Sequence, residues 1–482
     1  MENIIEEIRK LFQYYSSLAV LNIAKIPQSG SIRIYFRITT PEKNFIAAYG
    51  NNVKENKAFI YLSRHFRKNN SPVPEIFAVN EDETIYIQED FGDTSLLNKL
   101  EENGYSDDVY TLFQKSLKSL SRLQIEGDKG LDYNYCITSK EFGQQAILSD
   151  LLYFKYYFLD ALQLPYDKEK MLDDFDKLSR HLSKADYKYF MFRDFQSRNI
   201  LIKEEQPHFI DFQGGMKGAL QYDVASMLWQ AKANLSDEWK NSLFAYYMDC
   251  VEETLNKKID RPSFENQYNG YILIRLLQVL GAYGFRGLFE RKAHFLTSIP
   301  LGLRNLKWFL KHKTTGIELP EFQRMLNVVV ENDIIERFEP IQATEATPLT
   351  IYIYSFSYKK GIPGDGTDNG GGFVFDCRGI LNPGRIEEFK KHTGRDKPVK
   401  DYLEQQTKMP VFLNSVFDIV DVTVEDYIKR NFSSLMVCFG CTGGQHRSVY
   451  AADALARHLR NKFKVKIALH HVEQEAKNWM NT

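Results

Sequence analysis

The 482-residue chain has little cysteine: five residues, an odd number. That argues against a disulfide framework, and reduced thiols in a cytoplasmic setting are the expectation. Net charge is nearly absent too, 62 Lys+Arg against 63 Asp+Glu giving −1, so no overall attraction to nucleic acid or anionic membrane is expected. No stretch reads as the roughly 20 apolar residues of a membrane span. The start, "MENIIEEIRKLFQYY", reads as an acidic amphipathic helix without the basic start or cleavage site of a signal peptide. What the chain does hold is 43% hydrophobic and 14% aromatic residues, with length for two or three cores rather than one.

Residues 1 to about 95 mix strand-like alternation ("SIRIYFRITT", "KNFIAAYG", "TIYIQEDFG") with a helical stretch, "ENKAFIYLSRHF", and read as a small α+β lobe. From 96 to 334 apolar and aromatic residues recur at spacings of three and four, as in "DLLYFKYYFLDALQL", which predicts a helical lobe. Periodicity fails over 335–349, with Pro340 and Pro348, and a linker is expected there. In 350–482, "TIYIYSFSY" and "GFVFDCRG" read as buried strands and "FKKHTGRDKPVKDYLEQQ" as a helix, giving a smaller α/β domain.

One polar island interrupts the helical lobe. "FMFRDFQSRNILI" places Asp194 and Asn199 five positions apart between apolar runs, and "HFIDFQGG" puts Asp211 at a strand end. That set suits phosphoryl transfer: an Asp receives the proton of the attacking hydroxyl, while an Asn and a second Asp hold Mg2+ on the phosphates. "QEDFGDTSL" reads as the hinge strand before it. Any one of these residues alone would read as a turn cap; together they favour a kinase-type site.

At these residues, with "PQSGSIRIYFRI", "SPVPEIFAV", "IDFQGGMKGALQYDVASML" and "RNLKWFL", the chain resembles the aminoglycoside and choline phosphotransferase superfamily. The likeness is nearest to the anomeric kinases of N-acetylmuramate and N-acetylglucosamine in cell-wall recycling. The resemblance implies a protein-kinase-like, two-lobed fold over about 10–330, ATP and Mg2+ as cofactors, and an amino-sugar acceptor. It makes Asp194 the catalytic base, Asn199 and Asp211 metal ligands, and Asp223 a brace for the catalytic loop. It places Gln28, Ser29, Gly30 and Ser31 over the phosphates, and Glu89 and Phe91 at the nucleotide. Two positions depart from the pattern. Phe192 stands where a His is usual, and "NFIAAYG" lacks the lysine many relatives carry, with Phe59 at the position of its glutamate partner. Arg33, Arg37 and Lys54 are the candidates to supply that charge, and a nucleotide-sensing adapter without kinase activity is the alternative.

In the last domain, "GCTGGQHRSV" lies between an apolar β-prone run, "SLMVCFG", and a helical one, "SVYAADALARHL", and so reads as a strand-to-helix turn that attracts anions. Cys441 and Arg447 have the Cys-x5-Arg spacing of cysteine phosphatases, with Asp365 or Asp368 as candidate general acids. The stretch, with "HTGRDKPVKDYL" and "FDCRGILNPG", resembles the C-terminal domain of the RNase adapter RapZ over about 350–473. That resemblance implies binding of an amino-sugar phosphate through Thr442, Gly443, Gln445, His446 and Arg447, with Asp376 and Arg378 nearby. It leaves a homo-oligomer through this domain open. RNA binding is not carried over, because the tail "VEQEAKNWMNT" has Lys477 as its only basic residue.

Overall fold

The computed structural model describes residues 2–26, 33–290, 293–339, 341–367 and 370–477. The expected phosphate-covering residues Gln28, Ser29, Gly30 and Ser31 lie outside them, as do Pro340 and Asp368. The chain forms two compact units, Met1–Phe289 with Ser298–Arg337 and Glu290–Thr297 with Phe338–Thr482.

The first unit opens with the helix Glu2–Tyr15 and an antiparallel sheet of β1 (Asn22–Lys25), β2 (Ile34–Thr39), β3 (Asn44–Tyr49), β4 (Ile76–Val79) and β5 (Ile85–Glu89), in the order β1-β2-β3-β5-β4. Alternation drives one face of β2 inward, so Phe36 and Ile38 meet Ile8 and Phe12 of the first helix in a common core. The helix Val53–Lys68 joins β3 to β4; Asn52 caps it by accepting from the Glu55 amide. The helical lobe follows. Inside it lie two antiparallel pairs of strands, β6 (Lys188–Met191) with β9 (Met216–Ala219) and the hairpin β7 (Ile200–Lys203) with β8 (Gln206–Phe209), which display the polar island.

One expectation needs correction. The helical stretch Arg261–Phe289 has a window of mean hydropathy 1.4, so by length and composition it is long and apolar enough to cross a membrane, which the sequence reading had missed. Its apolar residues serve a core: 56% of that window is buried, against the helices Gln144–Phe154, Leu220–Leu228 and Ile299–His312.

The second unit holds a parallel sheet of β10 (Thr350–Ser357), β11 (Gly372–Asp376), β12 (Ser434–Cys441) and β13 (Lys466–His471), in the order β11-β12-β10-β13. β12 is buried along its whole length, as a central parallel strand must be. β11, expected as a buried strand, is instead an edge strand with alternating exposure. The predicted helix at 389–406 begins only at Lys397, because Gly394 and the turns before it break the pattern and Pro398 suits the first helical turn. The helix Met409–Lys429 was not anticipated. Ala343 and Leu349, read as linker, already pack on this unit.

Candidate active site and candidate anion loop

The catalytic-loop geometry is built from Asp223 outward. This side chain is fully buried in the helix Leu220–Leu228 and accepts from the amides of Phe192 (2.7 Å) and Arg193 (2.9 Å) and from Gln124 Nε2 (2.8 Å). Burial pushes its acid up to about 7 while the three donors pull it down. So held, Arg193 keeps φ at 80°, a left-handed conformation that costs a non-glycine residue about 1 kcal/mol or more. Its guanidinium donates to Asp150 (2.6 Å) and lies over the rings of Phe142 and Tyr222. Asp194 follows with 45% of its side chain exposed, open to an incoming hydroxyl.

Asn199 Nδ2 donates to the Asp194 carbonyl oxygen (2.9 Å) and lies 3.4 Å from Asp211 Oδ2. The three residues selected from the sequence therefore converge. Asp211 has a second left-handed backbone, φ 70°, and accepts from Gln213 Nε2 at 2.8 Å. It touches solvent yet stands walled by protein, and that crowding, with the Asp194 carboxylate next, raises its acid. The Asp211 carboxylate and the Asn199 amide oxygen are hard donors suited to Mg2+, which takes few protein ligands and completes its shell with phosphate and water. Consistent with so sparse a site, the described residues contain no group of three His, Cys, Asp or Glu poised on a metal. Phe192 is buried edge-to-face with Phe195 and Phe212, so an apolar ring fills the place of the usual imidazole.

Of the three candidates for the charge missing from β3, Arg33 is the buried one. Arg33, 3% exposed, pairs with Glu55 through Nη2 (2.8 Å) and donates to the Tyr86 hydroxyl (2.9 Å). Burial opposes its charge, and the neighbouring Tyr86, Tyr35 and Glu55 more than restore it. Glu55 stands one helical turn before Phe59, whose ring stacks between Tyr86 and Phe212. Gln213 links the pair to the metal side, lying 3.5 Å from Glu55 Oε1. Of the other candidates, Arg37 is bound to Asp90 and Asp93, and Lys54 donates to the Ile137 carbonyl. Glu55 and Gln213 were missed by sequence reasoning; an acid one turn from the expected position was the available signal.

At the hinge, Glu89 pairs with Arg67 at 3.3 Å. The Phe91 ring is buried on His208, with centroids 4.1 Å apart, and fills core space, so any contact of this residue with a nucleotide would come from its backbone. Burial holds His208 down at about 4, so it meets that ring uncharged.

In the second unit, β10 leads to β11 on one side and β12 leads to β13 on the other, although β10 and β12 are neighbours. The crevice at their carboxyl ends is thus a topological switch point, the usual ligand position in open parallel sheets. There Ser357 Oγ donates to the Thr442 carbonyl (2.8 Å). Gly444 takes φ 64°, and its amide donates to Cys441 Sγ (3.2 Å), which also contacts Ser448 Oγ. Among the described residues, the amides of Thr442, Gly443, Gln445 and His446 meet no acceptor.

The side chains of this loop bond to neighbouring carbonyls. Gln445 Nε2 donates to the carbonyls of Lys390 and His392, and His446 Nε2 meets the carbonyl of Phe389 at 3.0 Å. Arg447 Nη1 donates to the carbonyls of Arg378 and Ile380, leaving Nε buried without an acceptor. Buried carbonyls in irregular backbone need donors, and Gln445, His446 and one arm of Arg447 supply them. Asp376 and Arg378 bind each other, and that contact lowers the Asp376 acid. Glu473, unnoticed in the sequence, is buried against Gly444 with Oε1 unpartnered.

The Phosphotransferase enzyme family model matches residues 24–254, and that of the RapZ C-terminal domain matches 349–475. A curated nucleotide-binding protein of Endomicrobium trichonymphae is 42% identical over 123 residues, covering 26% of this chain and 41% of that protein. The chain thus spans about two fifths of the length of the curated relatives it matches. Among solved structures, a putative aminoglycoside phosphotransferase from Ralstonia eutropha has a TM-score of 0.47 at 13% identity, over 64% of this chain and 99% of its own. Choline kinase from Cryptosporidium parvum has 0.46 at 15%, over 68% and 99%. Residues 24–254 are therefore similar to the phosphotransferase enzyme family and carry a protein-kinase-like fold, and a separate α/β domain at 349–475 is similar to the RapZ C-terminal domain.

Proposed function

We propose that the first unit is an ATP- and Mg2+-dependent kinase acting on a hydroxyl of an amino sugar, and that the second unit binds a sugar phosphate without cleaving it. The observation that carries the kinase reading is the convergence of Asp194, Asn199 and Asp211 beside the buried brace Asp223. Asp194 would take the proton of the acceptor hydroxyl, and Asn199 with Asp211 would hold the cation that neutralises charge on the transferred phosphoryl group. Arg33, paired with Glu55, supports a live catalyst over a nucleotide sensor, because the cation missing from β3 is present.

The test is ATP turnover against a metabolite panel that includes N-acetylmuramate and N-acetylglucosamine. Asp194→Asn should reduce turnover by about three orders of magnitude or more while nucleotide binding survives. A wild type that binds no nucleotide sinks the kinase reading, and one that binds nucleotide but phosphorylates nothing leaves a sensor.

For the second unit, free loop amides and the orphaned Arg447 Nε support phosphate binding. The phosphatase alternative needs a general acid: of the two candidates, Asp365 accepts from the amides of Thr367 and Gly371, bonds that favour its ionised form, and Asp368 lies outside the described residues. Calorimetry should show sugar-phosphate binding lost in Arg447→Ala and kept in Cys441→Ser. Release of inorganic phosphate by the wild type and not by Cys441→Ser would make the loop a catalyst.

A further inference from the structure

From Asn266 to Phe285 the buried helix carries one charged side chain, Arg275, in the run "YILIRLLQVLGAYG". Arg275 is 3% exposed, and an arginine so buried costs several kcal/mol unless its charge is answered. Its answers are few. Nη2 stands 3.4 Å from Asp194 Oδ1, Nη1 donates to Gln278, and the guanidinium lies 5.9 Å from the Tyr222 ring centroid. Nε has no acceptor among the described residues. A methionine or leucine would fill the same volume between Tyr222 and the helix without that cost, so packing does not explain the residue.

We infer that Arg275 is a positioning residue for Asp194, an inference that rests on the kinase reading above. Holding Oδ1 from the protein side turns Oδ2 toward the open cleft, where an acceptor hydroxyl would arrive. Among the described residues, Asp194 is otherwise fixed through its backbone, by the Asn199 bond to its carbonyl oxygen. A contact of 3.4 Å is long for a charged pair, and such bonds at a resting base tighten when the substrate closes the site. Arg275 comes from a helix more than 80 positions away in sequence, which ties the orientation of the base to the packing of the helical lobe.

The experiment compares wild type, Arg275→Met and Arg275→Lys in steady-state kinetics, with the acceptor taken from the panel and with Tm measured alongside. Arg275→Met should keep or raise Tm, since a buried charge is replaced by an apolar side chain while Asp194 stays half in water. Its kcat should fall about 10- to 100-fold with KM for ATP unchanged within about twofold, the signature of a misaligned base. Arg275→Lys keeps charge but not the fork, and should recover part of that loss. Equal kcat in wild type and Arg275→Met overturns the inference and leaves the kinase reading standing. A wild type with no turnover on any acceptor overturns both. If Arg275→Met does not fold, Arg275→Lys decides: a kcat within twofold of wild type counts against a role for the fork, and a fall of fivefold or more supports it.

Discussion

In the loop Phe192–Gln213 the polar side chains face one another across a cleft, whereas in Cys441–Arg447 they turn back into the fold and leave the backbone exposed. Asp194 and Asp211 repel, and the first unit restrains them with Asn199, Gln213 and Asp223. Gln445, His446 and Arg447 instead satisfy carbonyls of 378–392, and the amides above them are left for an anion. The first arrangement suits chemistry, where side chains must hold a metal and move a proton. The second suits recognition, where a rigid ring of amides is enough. The same kind of sequence signal, a polar island between apolar runs, serves both.

Removing the brace should break the first site most severely. Asp223→Asn keeps the shape but turns an NH2 toward the amides of Phe192 or Arg193, leaving a buried donor facing a donor. A loss of about 3–4 kcal/mol is expected in urea unfolding, with turnover abolished. Calorimetric sugar-phosphate binding should remain, which separates the two loops functionally. If that binding is lost as well, the two sites are not independent.

Next in size is Gly394→Ala in the second unit. A Cβ there would stand 2.2 Å from the His446 carbonyl oxygen and 2.6 Å from the Tyr450 amide nitrogen, both backbone atoms that cannot step aside. About 2–3 kcal/mol should be lost, along with sugar-phosphate binding, while kinase turnover persists. Gln445→Ala should be milder, about 1–2 kcal/mol, because two carbonyls lose one amide donor near solvent. Binding that survived Gln445→Ala at full strength with no loss of stability would mean the clamp on 390–392 is dispensable.

These contrasts also mark what the sequence could tell. Asp194, Asn199 and Asp211 could be singled out because phosphoryl transfer uses those residue types in such a polar island, and Asp223 only through the family resemblance. The Arg33–Glu55 pair was not, since it joins a strand to a helix and sits one turn from the expected register. The inward roles of Gln445 and His446 were hidden for another reason. Their partners are carbonyls of irregular backbone, which every residue possesses and no residue type advertises. The helix Met409–Lys429 was missed because "VFDIVDVTV" is rich in β-branched residues; packing of Leu413, Val416, Val420 and Val424 on the core overrides that propensity. Arg275 was readable as a lone charge in an apolar run, but its partner lies on another element.

A change of pH separates the two loops by sign. Asp223 has a folded acid near 7, raised first by burial, above its unfolded value of about 3.9. Its contribution to stability is complete below about pH 4 and disappears as pH rises through 7. His446 is shifted the other way: burial lowers its imidazole below the ordinary 6.5, so its contribution is present above that value and is lost as pH falls toward the folded one. Moving from pH 7.5 to 5.5 should therefore strengthen the first loop and weaken the second. Hydrogen exchange on the whole chain, corrected for intrinsic rates, reads both at once. The amides of Phe192 and Arg193, bonded to Asp223, should gain protection, while Gly394 and Tyr450, bonded to the carbonyls of Gln445 and His446, should lose it. In His446→Asn the second change should vanish and the first remain. Protection moving in the same direction in both loops would show that a shared titration, and not these two buried groups, governs the response to acid.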